Sequence, residues 1–512
     1  MKDDRGSFPA WVERVSSIRG VAYVYIIYGV LHALVTRIPG PTLALDDVKL
    51  NVDTQSLQAG YLPGNPPLYE WLLIAAQQLA GPSLIAVLLV KYALIAAAGL
   101  TAYLLAIEIT KDRRWAAVTS FSLVLFYQFG WNAHQAFTHT LALIPATLFF
   151  WWTLLRLFHR QQFIDYLLLG VSLSLGVLSK YSFIGVAAAA FVAVMLRPES
   201  RKALAFPRLI FSLLFALLIT SPHLYWLITQ NNNVIEASAT RLQGANDPYW
   251  QRVLEGVPAA IWSIASFFLP FALVTAALFR QSFSAGAATN IKALIARDAA
   301  LIGAGAIILG VIVLGISGLQ ERYTIAFLLP ALFWAIVKIR DSASQTKVIS
   351  RYVSIVVLAA ILMLGLRFVQ TTIPGEPFCS DCRQWVPYDV IAESLDIAGF
   401  ENGTLVGFTD HTAGNLRRLF PRARVISSHM PFYTPPGGRL EDDCYFIWSE
   451  DLGPPVAEAV TGRFDATSTY KAIGQWRHFA RETGWRTTTW TIARVSHDPD
   501  LTKSLCRPAV LE

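Results

Sequence analysis

Between residues 18 and 370 the chain carries one apolar run after another, each close to the length a helix needs to cross a bilayer. Hydrocarbon offers the backbone no hydrogen-bond partners, so runs of this length must become helices. Eleven spans are expected, at about 18–36, 83–107, 115–130, 138–157, 163–179, 182–196, 209–226, 258–279, 299–317, 323–337 and 352–370. The run from 163 to 196 would make a helix of about 50 Å against a hydrocarbon core of about 30 Å, so Ser179, Lys180 and Tyr181 read as a turn at one surface. The first run follows basic residues, as a secretory signal would, but it has no convincing small-residue cleavage site and is expected to remain as a helix. Past Thr371 the apolar runs stop. The expected fold class is therefore an α-helical polytopic membrane protein over residues 1–370, with a first outer loop at 37–82, followed by a small α/β extracytoplasmic domain over 371–512.

Parity and charge set the orientation. With the N-terminus inside, the inner segments collect twenty Lys and Arg, among them Lys111, Arg113, Arg114, Arg197 and Arg201, and the outer loops before residue 371 only six. The positive-inside rule then puts the N-terminus in the cytoplasm and residues 37–66 and everything after 371 outside. The same distribution explains the net charge of +7 without a nucleic-acid partner. All four cysteines, Cys379, Cys382, Cys444 and Cys506, lie in the C-terminal part, as an oxidising compartment would favour. Of the three possible connectivities, Cys379 with Cys382 and Cys444 with Cys506 is preferred. A CxxC can also be a redox or zinc half-site, but no second CxxC accompanies it.

The C-terminal part alternates strand-like pieces (TLVGF, ARVISS, CYFIWS, TTTWTIARVS) with a helix-like one, TDHTAGNLRRLF. Thr409, Asp410 or Thr412 is expected to cap that helix, and the Asp410–His411 pair reads as a cap before it reads as catalytic. Glycine-rich phosphate loops and paired zinc motifs are absent from the sequence, which argues against an ATP-driven pump or a metalloprotease.

The first outer loop holds the chemistry-bearing candidates. Asp46 and Asp47 stand together, while Leu45, Val48 and Val52 recur at helical spacing, so a short amphipathic helix along the membrane surface is expected. Asp46 and Asp53 would share its other face, with Lys49 able to pair with either. Next comes GYLPGNPPLYEWLLIAAQQLAG, in which Pro63, Pro66 and Pro67 stiffen a re-entry too short to cross.

An acidic pair in the first outer loop, then PPLYEWL some twenty residues on, then GVLSKYSFIG with Lys180 and Tyr181, and ERYTIAFLLP with Arg322, Tyr323 and Pro330, follow one another in this chain. In this order they resemble the polytopic GT-C glycosyltransferases. That group includes the protein O-mannosyltransferases, the aminoarabinose transferases of lipid A and the rhizobial galacturonosyltransferases of lipopolysaccharide. The resemblance runs from residue 20 to 340, and the soluble domain after the last span also fits.

The resemblance implies a sugar carried on a polyprenyl phosphate, transferred with inversion at the outer membrane surface. Asp46 or Asp47 matches the acidic residue that accepts the proton of the attacking hydroxyl. Lys180 and Arg322, with Tyr181, Tyr323 and Tyr69 beside them, are the candidates for binding the donor and its phosphate. Lys180 and Arg322 also lie at expected span ends, where long cationic side chains anchor helices, and Lys91 lies inside an expected span, where an unpaired charge is costly. Two departures stand out. Gly64 and Asn65 occupy the place of an acidic and a basic residue before the paired prolines. THTLALIPAT carries His139 where many relatives have an aspartate. His134 and His139 are possible substrate contacts or half of a divalent-metal site, and hydrogen-bonded neutral histidines are preferred. In the long outer loop at 227–257, Tyr249 and Trp250 are candidates for stacking on a sugar ring or for an interfacial aromatic belt.

The leading reading is a glycosyltransferase acting on a glycolipid, lipid A or the lipopolysaccharide core, with the bilayer and the lipid-linked sugar as its partners and no cofactor firmly assigned. A protein acceptor is the rival within the class. The rival outside it is a transporter or flippase, although the polar clusters here sit at the outer surface and not at mid-membrane.

Overall fold

The computed structural model describes residues 8–135, 137–203, 206–229, 247–284, 290–342, 346–379, 381–427, 433, 435–436, 443–452, 466–478 and 484–495. The chain divides into two compact units, one of residues 1–31, 63–68 and 91–364, the other of residues 32–62, 69–90 and 365–512. Six helices among the described residues are long and apolar enough to cross a membrane: Ile18–Arg37, Leu84–Thr110, Pro207–Thr229, Tyr249–Phe283, Ile291–Leu314 and Val348–Thr372. The remaining expected spans fall on shorter helices, including His139–Arg156, Phe163–Ser179, Phe183–Met195 and Pro330–Ser342.

In the first unit the core is built from the apolar faces of these helices. The expected turn at Ser179–Tyr181 is present: the helix ends at Ser179, Lys180 is extended, and the next helix begins at Phe183. The run 115–130 departs from the single helix expected. It breaks into Arg113–Phe121, a 3₁₀ turn Ser122–Leu125, the short helix Tyr127–Gly130 and a second 3₁₀ turn Asn132–His134. Packing explains the break. Phe126 turns extended and places its ring 4.9 Å from that of Phe267 and 5.4 Å from that of Phe271, which an unbroken helix would not allow. At the break the backbone N–H and the hydroxyl of Ser122 both donate to Val118 O, and the Phe126 N–H closes a tight turn on Leu123 O.

Tyr249 and Trp250, expected in a loop, instead open the helix Tyr249–Ser284. The rest of that loop, 230–246, lies outside the described residues. Tyr249 donates its hydroxyl to Ile312 O, and its ring lies against Gly315. That glycine ends the helix Ile291–Leu314 in the left-handed conformation at φ 60°, the common helix stop. Tyr249 thus makes a packing contact while remaining partly exposed, and Trp250 is more exposed still.

The second unit contains a five-stranded mixed sheet of β1 (Gly403–Gly407), β2 (Arg424–Ser427), β3 (Asp443–Ser449), β4 (Ala466–Arg477) and β5 (Trp485–Val495), in the order β2-β1-β3-β5-β4. β1 runs parallel to β2 and β3; β5 runs antiparallel to β3 and β4. All five residues of β1 are buried, as a parallel strand covered on both faces requires. The helices Asp389–Ile397 and Asp410–Leu419 pack over a core of Leu405, Tyr445, Ile447, Trp490 and Ile492, and Val52 of the first outer loop joins it. Thr409 is the cap of the second helix, accepting from Thr412 N at 3.1 Å. Cys379 and Cys382 form a disulfide. Cys444, at the start of β3, is disulfide-bonded as well, and its expected partner Cys506 lies outside the described residues.

Replacing Gly315 with Ala forces a side chain into the left-handed region and against the Tyr249 ring 3.0 Å away. The full-length protein in detergent is expected to lose about 1 kcal/mol, read as a lower thermal midpoint.

Candidate active site

In the second unit the acidic pair opens the helix Asp46–Asp53. Two carboxylates in a first helical turn suit the positive end of the helix dipole. Leu45, just before them, sits at φ 57°, ψ −136°, a conformation that costs a non-glycine residue about 1–3 kcal/mol and is held only where neighbours impose it. The two aspartates differ: Asp46 is exposed, Asp47 is buried. Tyr69, from PPLYEWL, is fully buried beside them. Burial first, then the charges of Asp47, Glu70 and Asp46, push its phenol well above the usual range.

The face that Asp46 and Asp53 are expected to share is exposed at Asp46 and buried at Asp53. Val48 and Val52 are buried, and so is Asp53, whose exposure is 0%. Neither carboxyl oxygen of Asp53 has a hydrogen-bond partner among the described residues. Its carboxyl is held well above the ordinary range, by burial first, then by the neighbouring charge of Glu70; Lys49 opposes this and Asp410 adds to it. Burial and a neighbouring like charge both disfavour its ionised form.

Side chains from distant parts of the chain hold this helix. Asn415 accepts from Leu43 N at 2.9 Å and donates to Leu43 O at 3.1 Å. Asn51 donates to Gly414 O at 2.9 Å and to Pro82 O at 3.3 Å, and Gln77 donates to Asn51 Oδ1 and to Thr54 Oγ1, both at 2.9 Å. Gln55 reaches the edge strand β2, where it donates to Val425 O at 2.7 Å and accepts from Val425 N at 2.8 Å.

In the first unit two of the expected cations converge. Lys180 Nζ lies 4.6 Å from the centre of the Tyr323 ring and the Arg322 guanidinium 5.4 Å from the same ring. Lys180 also donates to Thr140 Oγ1 at 3.0 Å. Tyr181 joins another group: its hydroxyl is 2.8 Å from His223 Nε2, and the rings of Tyr181, His223 and Trp226 stack in sequence. His134 is buried, with Nε2 2.7 Å from the Tyr28 hydroxyl and the Tyr92 ring alongside. His139 Nδ1 lies 3.3 Å from Thr138 Oγ1. Lys91, only 2% exposed, donates to the carbonyl of Gln135. Tyr28 also lines an apolar cavity of about 110 Å³ with Trp11, Tyr25, Phe121 and Phe129. Among the described residues no group of three or more His, Cys, Asp or Glu is arranged to hold a metal ion.

Several of these residues carried no role in the sequence reading. Glu70 was visible inside PPLYEWL but unassigned, and its burial at 1% exposure is the signal. Thr140 and His223 enter through contacts made across helices. Gly414 and Asn415 follow a capped helix start and look there like ordinary helix residues.

Residues 64–226 match the family model described as dolichyl-phosphate-mannose-protein mannosyltransferase. Two curated relatives from Rhizobium johnstonii align over most of the chain, both named lipopolysaccharide core galacturonosyltransferases. RgtB is 27% identical over 463 residues, 86% of this chain and 91% of the relative, and RgtA is 27% identical over 470 residues, 89% and 92%. The resemblance to GT-C glycosyltransferases is borne out, and the protein is a glycosyltransferase. Among solved structures, ArnT from Cupriavidus metallidurans bound to undecaprenyl phosphate superposes with a TM-score of 0.59 at 13% identity, covering 95% of this chain and 99% of that one. The same protein in the apo state gives 0.57 at 14% identity, covering 92% and 98%. The fold of that solved structure is thus shared over nearly the whole chain.

Asp53 makes the stability of this glycosyltransferase depend on pH. Below its ordinary value of 3.8 the carboxyl is protonated in folded and unfolded chains alike, and its contribution is fully present. As pH rises the unfolded chain ionises first, so stability falls until the raised folded value is passed. Asp53→Asn is expected to remove that slope, giving a higher thermal midpoint than the parent at pH 8 and a smaller difference at pH 5.

Proposed function

We propose that this glycosyltransferase moves galacturonic acid from a polyprenyl-phosphate donor to the lipopolysaccharide core on the outer face of the bacterial inner membrane. The observation that carries this reading is that both curated relatives, aligned over 86% and 89% of the chain, are named as core galacturonosyltransferases. The donor class is supported by the family model over residues 64–226, whose description names a lipid-phosphate sugar. In this reading the chain crosses the membrane eleven times with its N-terminus in the cytoplasm and residues 371–512 in the periplasm. The charge asymmetry of the loops and the six long apolar helices support that topology.

The acceptor hydroxyl attacks the anomeric carbon on the face opposite the lipid phosphate. The new carbon–oxygen bond forms as the bond to the phosphate oxygen breaks, the electron pair leaves with the phosphate, and the configuration inverts. The hydroxyl proton passes to Asp46 or Asp47, general-base help worth about 10²- to 10⁴-fold. Lys180 and Arg322 offset the charge that develops on the departing phosphate, and their convergence on the Tyr323 ring supports a shared task.

In an in vitro assay with polyprenyl-phosphate galacturonic acid, Asp46→Asn or Asp47→Asn is expected to lower kcat by about 10²- to 10⁴-fold. A folded double variant with full activity would refute the base. Lys180→Met and Arg322→Met are each expected to cost about 10²-fold in kcat. For the acceptor, the lipopolysaccharide of a deletion strain should lack one hexuronic acid by intact mass. An unchanged glycolipid beside a protein that loses a sugar would transfer the reading to a protein acceptor.

A further inference from the structure

We propose that Gly414 and Asn415, on the C-terminal domain's helix Asp410–Leu419, are positioning residues for the acidic pair: they set where Asp46 and Asp47 stand. The inference rests on the reading of that pair as the base and adds a second task for the C-terminal domain.

The segment from Thr42 to Gln55 is tied to the C-terminal domain at short intervals. Thr42 Oγ1 donates to Val386 O at 3.0 Å, both backbone groups of Leu43 pair with Asn415, Asn51 reaches Gly414 O, and Gln55 pairs with both backbone groups of Val425. Between the first and second halves of this series, the helix backbone itself rests on Gly414. A methyl group there would lie 2.2 Å from Val48 O and 2.6 Å from Val48 Cα. Those are backbone atoms, so no side-chain rotation relieves the clash, and the helix must move.

Asp46 and Asp47 lie between the tie at Leu43 and the seat at Val48. Across that short interval the chain makes the unfavourable turn at Leu45, φ 57°, which fixes the direction in which the helix starts. Asn415 is fully buried and has a third bond, donating to His411 O at 3.0 Å, so its own position is fixed by the helix it belongs to. A hydroxyl's attack depends on the base standing within hydrogen-bond reach, and a displacement of about 1 Å can cost about 10²-fold. Gly414 and Asn415 touch no reacting atom in this scheme; they act through the backbone of residues 43–48.

The test uses the full-length protein in detergent, with polyprenyl-phosphate galacturonic acid and purified lipopolysaccharide core. Gly414→Ala and Asn415→Ala are expected to lower kcat by about 10- to 100-fold with donor KM within about twofold. Gln55→Ala, which releases the far end of the same helix, is expected to lower the thermal midpoint comparably while leaving kcat within about threefold. In the Asp46→Asn, Asp47→Asn background, Gly414→Ala should cost nothing further, because the group it displaces is already gone. If all three variants lose activity in proportion to their lost stability, the role is structural only and the proposal is overturned. Full kcat in folded Gly414→Ala and Asn415→Ala, with the double Asn variant inactive, overturns the proposal and leaves the base intact. Full activity in the double Asn variant removes the base reading, and the proposal with it.

Discussion

The eight-residue helix Asp46–Asp53 has no means of standing alone. Isolated helices of that length are unstable in water, and this one carries three aspartates. It exists because two amide side chains, Asn415 and Gln55, join its flanks to a sheet domain more than three hundred residues away in sequence, and because Gly414 leaves room for its backbone. Neutral amides suit this task. They give and take hydrogen bonds in a buried seam without adding charge beside carboxylates that are already crowded.

That crowding has a consequence for charge. Asp47, Glu70 and Asp53 are all buried in one unit, with Asp46 exposed nearby. Ionising every one of them in a water-poor space would be costly, and burial raises the Asp53 carboxyl well above its ordinary value.

How much of this was legible depends on the range of the interaction that decides it. The spans were readable because burial in hydrocarbon acts on every residue of a run, as in Leu84–Thr110. The turn at Lys180 was readable from length alone. The break after Phe121 was not, since it is set by Phe126 meeting Phe267 and Phe271 from another helix. The same holds in the acidic loop. Helical spacing located the helix, but read Val48 and Val52 as facing a membrane surface, when their partner is the C-terminal domain. Asp53 was placed on the opposite face for the same reason, and it too is buried. The convergence of Lys180 and Arg322 on Tyr323 was half legible: Arg322 and Tyr323 are neighbours in sequence, but the approach of Lys180 to the same ring depends on how its turn packs against theirs.

In the proposed scheme the base and the cations are held by different kinds of contact. The cations Lys180 and Arg322 are long and flexible, and both rest against the Tyr323 ring. The carboxylates are short, and nothing in an aspartate side chain can make up for a misplaced backbone. A short side chain must be aimed by the chain that carries it, so rigidity is needed at Leu43–Val48 where it is dispensable at Lys180. The strained Leu45, the fully buried Asn415 and the seat at Gly414 are what that requirement looks like in this fold.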